Sequence, residues 1–181
     1  RPRPPPAPAL SVGGITTDAL SSQTIGIQTT GSTANTITVG GTTNTNDSLI
    51  LDSAGDILFQ AGATVGAASL QLQGAGVALF NAGTVNINAP LTALLPMLVA
   101  GATVNLNGST SMISDLDLAS GVLQGSTSLT VSNSFAQGAG TLGSSFSDIS
   151  ITQASGNLSV NGMGATNTLF LAAPTGTVTT S

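Results

Sequence analysis

Ser48–Gly62 reads SLILDSAGDILFQAG, and Ser69–Gly83 reads SLQLQGAGVALFNAG. The two stretches align without a gap at an offset of about 21 residues, with Ser, Leu, Leu, Ala-Gly, Leu-Phe and Ala-Gly in phase. A self-similar segment of this length is the signature of one small structural unit stacked on its own copies. The repeat continues downstream. TVNIN at 84–88 recurs as TVNLN at 103–107, a step of about 19. Leu129 and Val131 are followed by Ile149 and Ile151, and then by Leu169 and Leu171, at steps of about 20. Leu158 is echoed by Val178 at the same step.

Within each repeat, apolar residues alternate with polar ones over three to five positions, as at Leu49/Leu51, Leu70/Leu72, Val85/Ile87, Val104/Leu106 and Leu116/Leu118. Strict alternation marks a half-buried strand. No stretch carries a 3.6-residue period, and β-branched Thr and Val favour strands. One coil of about 20 residues cannot bury its own apolar face. Coils stacked about 4.8 Å apart pair in parallel and turn the inward side chains into continuous ladders. The fold expected is all-β: a right-handed, single-stranded parallel β-helix (β-solenoid) with about 20 residues per coil. The expected ladder residues are Leu49, Leu51, Leu70, Leu72, Val85, Ile87, Val104, Leu106, Leu129, Val131, Ile149, Ile151, Leu169 and Leu171. Gly62 and Gly83 are expected at corners, where Gly accepts φ > 0 without a Cβ penalty. Seven or eight such coils give a rod on the order of 35–40 Å. Asn86 with Asn105, and Asn88 with Asn107, either stack along the rod or simply face solvent.

Residues 1–9 open as RPRPPPAP, a Pro-rich linker or fragment end in extended polyproline form. The β-helix repeats are expected over 10–181 and are clearest from 47 onward. Residues 10–46 are rich in Thr, Ser and Gly, with short alternations at TIGIQ (24–28) and NTITV (35–39), and TTNTND at 42–47 reads as a turn. The run Pro90–Ala102, PLTALLPMLVAGA, is shorter than the roughly 20 residues of a membrane-spanning helix and is broken by Pro96, so a buried strand or apolar loop is expected there. The Pro-rich start and the abrupt Ser181 end point to a piece of a longer molecule.

Composition narrows the chemistry. Of 181 residues 40% are hydrophobic but only 3% aromatic, as suits a core of thin aliphatic layers rather than bulky rings. Charged residues make up 5%, against about 25% in an ordinary domain. The seven acids are all Asp, and the only cations are Arg1 and Arg3. Phosphate backbones and anionic membranes need clustered Lys and Arg, so no nucleic-acid partner is expected. The absence of His and Cys removes the usual triads, thiol chemistry and His or Cys metal ligands. The remaining candidates for acid chemistry or calcium are Asp52 with Asp56, and Asp115 with Asp117, the latter two facing the same side of a strand. GAGTLG at 138–143 has no Lys and no following helix, so a corner is expected there rather than a phosphate loop. No enzyme activity and no cofactor are expected. Thr is abundant, but no TxT motif recurs in phase through the coils, which counts against an ice-binding face.

The phrasing SLxL–AG–xLF–AGxTV of Ser48–Val65 and Ser69–Val85, GNLSVNG at 156–162, and the TVNIN/TVNLN pair resemble the filamentous haemagglutinin-like exoproteins and autotransporter passenger domains. That resemblance covers about 47–181. It implies a secreted shaft of a Gram-negative surface adhesin or filament, located extracellularly or at the bacterial cell surface. It also implies roles in adhesion, biofilm or toxin delivery. The Asn-Pro-Asn motif of that family's secretion domain is missing, so the chain is not expected to be that domain. Expected partners are further β-helix repeats of the same parent chain, lateral self-association through flat faces of low charge, or surface glycans. The competing functions are a carbohydrate- or ice-binding solenoid and a polysaccharide-acting β-helix enzyme.

Overall fold

A computed structural model describes residues 9–15, 23–163, 165 and 167–181. The expected linker lies outside the described residues except for Ala9, which opens the strand Ala9–Val12. Among the described residues every regular element is a strand, and no helix is long and apolar enough to cross a membrane. All the strand pairings are parallel, and each joins segments one coil apart, so the chain is a parallel β-solenoid.

Each coil passes over three faces. The first face stacks Thr24–Gln28, Ser48–Ser53, Ser69–Gly74, Leu91–Ala93, residues 110–113 and 128–131, Asp148–Thr152 and Thr168–Ala172. The second stacks Ala9–Val12, Thr36–Val39, Ile57–Phe59, Ala78–Phe80 and residues 97–99, 116–118 and 135–137. The third stacks Thr42–Asn44, Thr64–Gly66, Thr84–Ile87, residues 103–106 and 122–125, and Thr141–Leu142. A further pair, Leu158–Val160 with Val178–Thr180, belongs to the last coils. Seven steps along the first face, at about 4.8 Å each, make a rod of roughly 34 Å.

The core is a set of axial ladders. On the first face Ile25, Leu49, Leu70, Leu91, Ser111, Leu129, Ile149 and Leu169 lie one above another. Beside them run Ile27, Leu51, Leu72, Ala93, Ile113, Val131, Ile151 and Leu171. The second face contributes Val12, Val39, Phe59, Phe80, Val99 and Leu118. Phe59 and Phe80 stack with ring centroids 4.5 Å apart and planes 7° from parallel. On the third face Val85 lies on Val104, and Ile87 on Leu106. Where the third-face column reaches Gly125, no side chain points inward. Phe146, fully buried, comes in from a neighbouring corner and packs against that glycine.

The structure changes some expectations. The coil length varies more than the 19–21 of the clear repeats, from 18 (Thr110 to Ser128) to 24 (Thr24 to Ser48), with 27 between Ala9 and Thr36. The extra residues of the 24-residue coil enter at the corner 29–35, where they disturb no pairing. Leu169 and Leu171 stand in their ladders, but Leu169 is 46% exposed and Leu171 half-buried, because no described strand lies beyond them on that face. The first half of TTNTND is a strand, Thr42–Asn44, rather than a turn, because Thr43 faces inward above Val65. In Pro90–Ala102, Leu91, Ala93, Leu95, Met97 and Val99 are all buried, so the run is strand and corner. Gly62 and Gly83 have φ of +84° and +66°.

The ladders set the energetics. Phe80 fills its layer completely whereas Phe170 is 54% exposed. Phe80→Ala should cost about 3–5 kcal/mol and Phe170→Ala less than about 1 kcal/mol, by chemical denaturation. The Ser111 hydroxyl has no hydrogen-bond partner in its buried rung. Ser111→Ala should therefore stabilise the rod by about 1 kcal/mol, by the same measurement.

Candidate functional site

Outward positions carry the polar groups, and the third face arranges them most regularly. Thr42, Thr64, Asn86, Asn105 and Gln124 form one outward column, because their neighbours in each strand are committed to the core. Its side chains bond along the rod. The Gln124 amide donates to Asn105 Oδ1 (2.8 Å), Asn105 Nδ2 to Asn86 Oδ1 (2.7 Å), and Asn86 Nδ2 to Thr64 Oγ1 (3.5 Å). In the next column Asn107 Nδ2 donates to Asn88 Oδ1 (3.0 Å). The two asparagine pairs picked out by the repeat therefore stack rather than merely face water. Each amide uses one donor or acceptor axially and has further capacity to offer outward.

A concavity of about 420 Å³ opens at the upper end of this face, lined among others by Thr42, Asn44, Asn46, Thr64, Gly66 and Asn88. Gly66 stands beside Asn44 in the outward column, and its missing side chain helps to form the hollow. Its lining is made of hydroxyls, amides and small residues. Such a surface can hydrogen-bond a neutral polar ligand and offers no ring to stack on a sugar.

Among the described residues the carboxylates do not converge. Asp52 lies outward on the first face between two amides, accepting from Gln28 Nε2 and Gln73 Nε2 at 3.1 Å each. Asp56 is at the next corner, where its Oδ1 accepts the Val77 backbone N–H at 3.0 Å. Asp115 and Asp117 do share the outer side of the second face, separated by buried Leu116. Asp115 is engaged by Asn133 Nδ2 and Ser114 Oγ, both at 2.6 Å. Among the described residues no three of His, Cys, Asp and Glu group as metal ligands would.

Two carboxylates that the repeat did not single out have structural work. Asp47 is buried at the corner between the third and first faces. Its Oδ1 accepts the Gln23 backbone N–H (2.7 Å) and its Oδ2 the Thr45 hydroxyl (3.1 Å), while its own N–H donates to Thr45 Oγ1 (3.0 Å). The Thr-x-Asp spacing is the only signal for this cap in the sequence. Asp148 opens a first-face strand between coils. Ser147 Oγ (3.0 Å), Asn167 Nδ2 (2.8 Å) and Ser128 Oγ (3.4 Å) donate to it. The Ser147 hydroxyl first, then Thr168, hold its carboxyl below the ordinary 3.8; desolvation, next in size, opposes them, and Asn167 and Ser128 add smaller lowering effects.

A lowered folded-state pKa favours the folded state above the ordinary carboxylate value, and this contribution is lost as pH falls through the lowered value. Asp148→Asn should therefore melt at a lower temperature than the native chain near neutral pH. The gap should narrow as the pH falls through the lowered value, followed by thermal melts at each pH. Comparison with protein-family models, with curated proteins and with solved structures gives no match, so what is established for this chain is its fold, a parallel β-solenoid with a coil of about 20 residues.

Proposed function

We propose that this chain is a rigid, non-catalytic shaft segment of a secreted or surface-associated adhesin or filament, of the filamentous haemagglutinin-like kind. The observation that carries this reading is the unbroken spine of eight first-face rungs, from Ile25 to Leu169, held in one register. Backbone hydrogen bonds in such a stack run along the rod axis, so each coil adds stiff length and no chemistry of its own. What recurs from coil to coil is the aliphatic rung and the corner, while Asp52, Asp56, Asp115 and Asp148 are scattered and bonded to neutral donors. A location outside the cell fits a fold whose stability draws on repeated backbone pairing, with no disulfide to contribute.

A second reading, glycan binding, is favoured by one feature, the hydroxyl- and amide-lined hollow on the third face. The two readings separate under deletion of one whole coil. Removing 69–89 joins Ala68 to Pro90 and brings Leu91 into the place of Leu70 above Leu49. A shaft should stay folded and shorten by about 4.8 Å, read as a spin-label distance between the two ends. It should also give no signal on a glycan array before or after the deletion. Array binding by the native chain that is lost in Asn88→Ala would establish the second reading and sink the first.

A further inference from the structure

The amide columns of the third face have a missing rung. Beside the column of Thr64, Asn86 and Asn105 runs a second outward column: Asn44, Gly66, Asn88 and Asn107. Its members are amides except at Gly66, which has no side chain. Nothing in the backbone demands glycine there. Gly66 is not among the glycines with positive φ, and a Cβ on it would meet nothing closer than Asn44 Oδ1, at 3.0 Å.

The vacancy is polarised. In both columns each amide donates toward the earlier coil: Gln124 to Asn105, Asn105 to Asn86, Asn86 to Thr64, and Asn107 to Asn88. Asn88 accepts from Asn107 through Oδ1, so the opposite corner of its planar amide, Nδ2, faces the level of Gly66. From the other side comes Asn44 Oδ1, beside the place of the missing Cβ. The Asn44 side chain is exposed and makes no hydrogen bond among the described residues. A donor on one side and an acceptor on the other thus frame a space one rung deep, about 4.8 Å from each neighbouring level.

We propose that this vacancy is a binding site for a primary carboxamide, the side chain of an Asn or Gln on a partner polypeptide, which enters from solvent and completes the ladder. Its oxygen accepts from Asn88 Nδ2, its nitrogen donates to Asn44 Oδ1, and its stem leads out through the hollow of about 420 Å³. These are the pairings that the rod already makes between Asn105 and Asn86 and between Asn107 and Asn88. A carboxamide carries the acceptor and the donor on one rigid plane, with no torsion between them to freeze. A carboxylate has no donor for Asn44, and an ammonium has no acceptor for Asn88. A sugar hydroxyl has both, but no aromatic ring lines the hollow for a sugar to stack on. Two solvent-exposed hydrogen bonds make a weak contact, so the amide gives register and specificity to a larger contact. The site is independent of the shaft reading, since a rod with or without it has the same coils, and it gives the hollow an occupant other than a glycan.

Acetamide is the probe. Added to the isotope-labelled chain and followed by NMR, it should shift the side-chain amide signals of Asn44 and Asn88 saturably, with a Kd on the order of 100 mM. Signals of Asn133 and Asn167, elsewhere on the rod, should not move. A capped Gly-Gln-Gly peptide should reproduce the shifts and a capped Gly-Glu-Gly peptide should not. Gly66→Asn supplies the missing rung from within the chain. It should melt higher than Gly66→Ala, which adds a Cβ without an amide, and it should abolish the response to acetamide. If Gly66→Asn does not fold, Asn88→Ala carries the test, and should remove the response at Asn44. The proposal is overturned if acetamide gives no saturable shift, or if its response survives in Gly66→Asn or Asn88→Ala. It is also overturned if Gly66→Asn folds but melts no higher than Gly66→Ala. Tighter binding of glucose or N-acetylglucosamine than of acetamide would overturn it in favour of a sugar.

Discussion

When the backbone N–H of Gly62 donates to the carbonyl of Thr84, or that of Thr103 to the carbonyl of Gly83, the bond joins one coil to the next along the rod axis. Parallel pairing of this kind fixes side-chain parity as well as position. An inward residue must sit on an inward residue, because a slip of one position would turn a whole strand inside out. The ladders, the outward amide columns and the corner glycines all follow from that single constraint. It also explains why hydrophobic content can be carried by small aliphatic residues, since each layer has only to fill the space between its neighbours above and below.

The constraint acts on strands and leaves corners free. Coil length drifts from 18 to 24 residues without loss of register because the surplus is taken up between faces. Corners must then satisfy their own polar groups. The single O–H of fully buried Ser53 has two carbonyl acceptors in reach, Asp56 at 3.1 Å and Asn35 at 3.2 Å, and the Thr29 hydroxyl accepts the Ala54 N–H. Asp47 performs the same task at another corner. Close approach is handled by glycine: a Cβ on Gly76 would run into the carbonyl of Gly55, its equivalent one coil earlier.

The strands that could be read from the sequence were those with real alternation. SLQLQG declares its inward leucines because Gln71 stands between them, and SLILDS, with Ile50 at that position, takes its reading from the in-phase alignment; TVNIN and TVNLN declare both the valine rung and the asparagine column. The second face was opaque for the opposite reason. Its strands read ILF, ALF and MLV, apolar at every position, so nothing in three consecutive hydrophobic residues says which one turns outward. The outward direction of Leu58, Leu79 and Leu98 is thus hidden inside the repeat that reveals the fold. Ser111 was equally hard to place, since its inward position depends on pairing with Leu91 and Leu129 rather than on its own chemistry. The Asp148 cluster is drawn from residues about 20 apart, which only the register brings together.

The amide ladders of the third face have a consequence for the rod as a physical object. Asparagine, glutamine, serine and threonine supply its polarity, and none of them changes charge with pH. The chain also lacks His, Lys, Cys and Tyr. Between the range of carboxylates and that of arginine, it therefore has no side chain able to gain or lose a proton. Its surface presents the same electrostatic face to mildly acidic and mildly alkaline surroundings alike. A filament built from such units would keep its shape and its contacts across environments in which a histidine- or lysine-studded rod would be re-charged.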